Sequence, residues 1–137
     1  MYFQSTLIVL CSLASVAFAA MSQGDLNFTR DYIVAYSPTL YNRTEDFCHA
    51  FRAVCVEIAG SKNEHHQLDC VFSQKGPRIH AFCGGITKNP TGGWTRGQPV
   101  FDHTPEAAKE INATIKGQPM GKTACLKFKK KHSPIVC

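Results

Sequence analysis

TEDFCHAFRAVCVEIAG, residues Thr44 to Gly60, is the stretch from which the fold can be read. On a helical wheel Phe47, Phe51, Val54 and Ile58 form one stripe, and Cys48 and Cys55 run along its edge. Thr44 suits an N-cap, Glu45 and Asp46 suit the positive end of a helix, and Gly60 supplies a stop. The two cysteines are seven residues apart. They therefore face the same way about 10 Å apart along the axis, too far to bond each other. Each needs a partner elsewhere, which makes the helix a double anchor.

Immediately downstream, Gln67 to Ser73 and Arg78 to Gly84 flank Gln74-Lys75-Gly76-Pro77, a turn composition, and read as a β-hairpin. With Ser73 opposite Arg78, Phe72 meets Ile79, Cys70 meets Ala81 and Leu68 meets Cys83, all on one apolar face. Helix and hairpin thus each offer two cysteines from an apolar face. The economical arrangement packs the hairpin under the helix, with the four sulfurs pairing between them and Cys125 bonding Cys137. Which helix cysteine meets which hairpin cysteine stays open, and a one-residue slip would turn Cys70 outwards.

Upstream, Asp31 to Ser37 (DYIVAYS) is rich in β-branched and aromatic residues and is expected to be the first strand. Downstream, Gly84 to His103 is long and turn-rich, with space for a short strand near Val100-Phe101. Thr104-Pro105-Glu106 is a strong helix start, with Ala107, Ala108, Ile111 and Ile115 as the buried face and Gly117 as the end. Lys122 to Lys129 alternates Ala124, Leu126 and Phe128 against Thr123, Cys125 and Lys127, the pattern of a half-buried strand. The order β-α-β-β-α-β predicts an α+β, disulfide-braced, two-layer ferredoxin-like sandwich with both helices on one face of an antiparallel sheet.

Residues 1–19 read as a secretory signal peptide, with an apolar run from Leu7 to Phe18 and Ala17-Phe18-Ala19 as the cleavage site. That run is shorter than the about 20 apolar residues a bilayer span needs. Residues 20–137 are then expected to form a single secreted domain, monomeric and without a transmembrane segment. Removing Cys11 leaves six cysteines, 48, 55, 70, 83, 125 and 137, an even set that implies a disulfide framework. Asn27 and Asn42 lie in glycosylation sequons outside the expected elements, and Asn112 lies in a third. The signal carries no charged side chain, so the formal charge of +5 belongs to the exported chain. Such a surface favours an anionic partner, whether phospholipid, nucleic acid or acidic glycan.

With its export signal, small size and six cysteines in this order of elements, the chain resembles the small secreted cysteine-rich proteins of fungi. Among these are the virally encoded killer toxins of smut fungi and effectors sharing the same sandwich. The resemblance implies a role outside the producing cell, on a host or competitor target, and implies no defined reaction. It carries no functional residue with it.

Two stretches are expected to carry binding. One is the basic run Lys127 to His132, in which Lys129, Lys130 and Lys131 lie beside Phe128. The other is the glycine-flanked loop with Trp94, Arg96 and the nearby Lys88, where a tryptophan has little local packing. A cationic antimicrobial protein acting on membranes is one alternative. A small nuclease or hydrolase is another, and would need His80, His103, Glu57 and Arg78 to converge as base, acid and phosphate cation. No cofactor or metal is expected: there is no C-x-x-C, no H-x-x-x-H, and His65-His66 would diverge on a strand. Phosphate-loop, dinucleotide and serine-elbow motifs are absent from the sequence.

Overall fold

The computed structural model describes residues 27–72, 78–91, 93, 98–132 and 136–137. The expected export signal and the hairpin turn Gln74 to Pro77 lie outside the described residues. In chain order the elements are β1 (Tyr32–Ala35), α1 (Thr44–Ser61), β2 (Glu64–Phe72), β3 (Arg78–Thr87), β4 (Phe101–Asp102), α2 (Thr104–Glu110), β5 (Thr114–Gly117) and α3 (Lys122–Lys129). The strands form one antiparallel sheet in the order β2-β3-β1-β5, with β4 pairing β3 off this path. The architecture is therefore α+β, as expected, with one more strand and one more helix than the sequence pattern suggested.

Helix α1 buries Phe47, Cys48, Phe51, Cys55 and Ile58, the three- and four-residue spacing that puts side chains on one face. Tyr36 stacks on Phe47 at 5.0 Å and Tyr41 meets it edge-on at 5.4 Å, so the chain entering the helix closes over its first turn. The helix packs on β2 and β3, and α2 packs against α1, β3 and β5. Cys48 bonds Cys70 and Cys55 bonds Cys83, with Cα separations of 5.8 and 5.6 Å. The hairpin register is the expected one: Phe72 opposite Ile79, Cys70 opposite Ala81, Leu68 opposite Cys83. Cys125 bonds Cys137, with Cα atoms 5.9 Å apart.

Strand β3 is flanked on both sides by described strands for much of its length, and its residues 81–86 are all buried. Side chains alternate across a sheet, so Ile79, Ala81 and Cys83 face α1 while His80 and Phe82 face the other way. That second face is not bare. Phe28 meets the His80 ring edge-on at 5.4 Å, and the Arg30 guanidinium lies 4.9 Å from the centre of the Phe82 ring while also pairing with Asp69.

Beyond Ala81, β1 no longer pairs with β3, and residues 101–104 take over its exposed backbone edge. The His103 N–H donates to the Cys83 carbonyl at 2.8 Å, and the Cys83 N–H donates to the Thr104 hydroxyl at 2.9 Å. Gly85 leaves open the space that the Glu64 carboxylate occupies. A Cβ at that position would run into the Glu64 carboxylate, which lies across the strand.

Four sequence expectations are corrected. Lys122 to Lys129 is a helix and not a strand: the inward side chains are Cys125 and the half-buried Phe128, three apart, while Ala124 and Leu126 are exposed. The helix begun at Thr104 stops at Glu110, because Asn112 adopts a left-handed φ of 55° and the β-branched pair Thr114-Ile115 joins β1 instead. Ile111 and Ile115 are four apart, a spacing that suits a helix as well as the observed helix-to-strand turn. Finally, Thr44 is not the N-cap of α1. Arg43 holds that position without a side-chain cap, and the Thr44 hydroxyl shares a 3.0 Å hydrogen bond with Tyr36 Oη. The helix also runs one residue past Gly60, and the left-handed residue that turns the chain is Asn63, at φ 56°.

The Cys55–Cys83 bridge closes a separation of 28 residues. Replacing both cysteines by alanine is expected to cost about 3 to 4 kcal/mol, read as a shift in the urea midpoint.

Candidate functional site

Helix α3 packs onto the second face of the sheet through few contacts. Phe128 meets Phe28 at 5.6 Å between ring centres, and Phe28 in turn covers His80. His132 stacks on the outer side of Phe128 at 4.1 Å. Cys125 is fully buried and bonded to Cys137, and the flanking backbone is tied by Phe28 N–H to Val136 O at 3.3 Å and Met120 N–H to Phe28 O at 2.7 Å. With Cys125 and Phe128 turned inward, Lys122, Lys127 and Lys129 of the helix are exposed, followed by exposed Lys130 and Lys131. Among the described residues none of these five lysines makes an ion pair.

Locally, this helix is poorly favoured. Its N-cap is Gly121 with no side-chain cap, and its first turn carries Lys122 and no acid, where the helix dipole prefers negative charge. Lys127 and Lys129 suit the last turn, but the lysines as a set do not explain why the segment is helical. The disulfide and the Phe28–Phe128 contact do. Leu126 lies among the lysines at 46% exposure.

The expected site residues do not gather in one place. Lys129, Lys130 and Lys131 belong to the α3 surface, whereas Lys88 is half-buried and bonds its backbone N–H to Asn63 O at 3.4 Å, just past the opposite end of β3 from His80. Trp94 and Arg96 lie outside the described residues. Of the sequon residues, Asn42 and Asn112 are exposed. Asn27 is half-buried, with its Oδ1 accepting from the backbone and hydroxyl of Thr29.

His80 and His103 are separated by the sheet. Glu64 lies over Gly85 on the side of α1, and its carboxylate meets His103 Nε2 at 2.6 Å in a pair that is about nine-tenths buried on both sides. Beside it, Tyr32 Oη donates to Asp102 Oδ2 at 2.5 Å. Burial first, then that carboxylate, pushes the Tyr32 pKa up to about 12. Asp102 Oδ1 in turn accepts the Thr104 N–H at 2.9 Å, fixing the start of α2. His80, by contrast, sits against Phe28 on the far face, with its Nδ1 buried and unpartnered among the described residues. Sequence reading missed the Glu64–His103 pair. The one available signal was Gly84-Gly85, a pair of glycines inside a strand pattern, which marks a close approach.

A groove of about 240 Å³ lies between α1 and α2, lined by Val54, Glu57, Ile58, Ser61, Glu106 and Glu110. Lys62 reaches Glu106 at 3.2 Å near its end. Among the described residues no three His, Cys, Asp or Glu side chains cluster as a metal site requires. No helix of the described residues is long and apolar enough to cross a membrane. No family model, curated protein or solved structure matches this chain.

Removing one member of the Glu64–His103 pair leaves a buried charge or donor unmatched. His103→Ala is expected to cost about 3 kcal/mol in denaturant unfolding, and the double variant Glu64→Leu, His103→Leu less than the two single changes added together.

His80 generates a pH prediction. Burial lowers its pKa below the ordinary 6.5, against a weaker upward pull from Asp31. The unfolded chain then protonates His80 first, so this part of the stability is present above pH 6.5 and is lost as the pH falls below it. Between about pH 7.5 and about pH 5 the thermal midpoint of His80→Phe should fall less than that of the parent chain.

Proposed function

We propose that this chain is an exported, non-enzymatic interaction protein of effector or toxin type. It acts outside the producing cell on a host or competitor target and docks on a polyanionic partner through the lysines of α3. The observation that carries the docking role is that α3 turns its anchoring side chains, Cys125 and Phe128, inward and leaves five lysines exposed without an ion pair among the described residues. Three disulfides suit an oxidising compartment, in keeping with the export signal read at residues 1–19. The separation of His80 from His103 favours binding over a histidine-based hydrolysis.

The fold reading that accompanies this proposal is a ferredoxin-like sandwich in which β5 is the fourth strand. Its support is the strand order: α1 links β1 to β2 across β3, and the segment holding α2 links β3 to β5 across β1. On this reading β4 and α3 are additions, one sealing the edge of β3 and the other covering the second face. The likeness to secreted cysteine-rich fungal proteins is part of the same proposal.

Retention of the full chain on immobilised heparin tests the docking role. The variant Lys127→Gln, Lys130→Gln, Lys131→Gln is expected to elute at clearly lower salt than the parent, because fewer counterions are released on binding. A control changing the exposed Arg52 and Lys109 of the helical layer to Gln should elute close to the parent. Elution of the α3 variant together with the parent would remove α3 from the reading.

A further inference from the structure

We infer that the polyanion recognised by α3 is the surface of a bilayer carrying anionic phospholipid, with Leu126 entering the headgroup region. This deepens, and rests on, the docking role proposed for α3. Charge alone would suit nucleic acid, acidic glycan or lipid equally. What separates them is the apolar part of the same surface. Lys122 lies four residues before Leu126, and Lys129 and Lys130 lie three and four residues after it, so all three are its neighbours on the helix surface. A leucine ringed by lysines gains nothing from a phosphate backbone, whereas at a bilayer the leucine is withdrawn from water while the ammonium groups reach the phosphates.

A second aliphatic side chain accompanies it. Leu126 adjoins Cys125 and Val136 adjoins Cys137, so the two stand beside the two halves of one disulfide, at 46% and 41% exposure. The bridge holds them in place without burying either one. The Phe28–Phe128 contact fixes the opposite side of the helix against the sheet, so a single face is presented. Eight residues of helix, pinned in this way, can lie on an interface but cannot span it. The expected behaviour is salt-sensitive docking without rupture of the bilayer.

The test is co-sedimentation of the full chain with phosphatidylcholine vesicles, with and without phosphatidylserine, alongside heparin retention and release of an entrapped dye. The inference expects binding only to the phosphatidylserine vesicles, reversal by salt and no dye release. The triple lysine variant should lose on the order of 100-fold in partitioning. Leu126→Gln, at an exposed helix position and with circular dichroism as the check on its fold, should lose about tenfold on vesicles and nothing on heparin. Heparin retention without vesicle binding, or vesicle binding unaltered by Leu126→Gln, overturns the inference while the docking role of α3 stands. Failure to bind either matrix overturns both, and dye release overturns the surface-docking geometry.

Discussion

Cys83 is where the fold is tied. Its sulfur bonds Cys55 of α1, its backbone holds Thr104 and His103 at the start of α2, and its register partner is Leu68 of β2. Two helices and the neighbouring strand thus converge on one residue of β3. The second bridge, Cys48–Cys70, lies two turns back along α1 and prevents that helix from pivoting about the first. Two fixed points on one helix determine its direction over the sheet, which a single bridge would leave to packing. The core of Phe47, Phe51, Val34 and Ile79 then closes in a space already defined.

That arrangement also decides what the other face can be. Both helices of the layer crossing the sheet lie on the side of Cys83, leaving Ile33, His80 and Phe82 to be covered by whatever else the chain can supply. Among the described residues the cover consists of short pieces, Phe28, Arg30 and α3, held by ring contacts, an ion pair and the third disulfide. Few apolar contacts and a crosslink produce a firm but thin lid, which explains why α3 can present so much charge. It buries two side chains, Cys125 completely and Phe128 in part, and the remainder of its surface is available to a partner. The proposed docking surface is in this sense a consequence of the two-faced sheet.

The amphipathic helix, the hairpin and its register were legible because each carries redundant signals. The stripe of α1 is repeated over about three turns, and a one-residue slip of the hairpin would turn Cys70 away from the apolar face. The segment Lys122 to Lys129 was not, because over eight residues alternation and helical spacing make overlapping demands. Ala124, Leu126 and Phe128 alternate, while Cys125 and Phe128 satisfy the helical rule. Only the location of Cys137 and Phe28 in space chooses between them. A similar ambiguity hid β5: Ile111 and Ile115 belong equally to one helix or to a helix and a strand, and the left-handed Asn112 decides the matter. The basic run was therefore recognised as a candidate surface while its shape was misjudged, and its shape is what brings Leu126 among the lysines.

The buried polar groups follow the same division of the sheet into two sides. On the helix side, Glu64 with His103 and Tyr32 with Asp102 are matched pairs that tie β2 and β1 to the segment leading into α2. On the far side, His80 has a buried nitrogen with no partner among the described residues, and Phe28 as its neighbour. A neutral imidazole is tolerated there at the cost of one unsatisfied atom, whereas an imidazolium would also lose its hydration. Phe28 lies against both His80 and Phe128, so the environment of this histidine and the seating of α3 share one side chain.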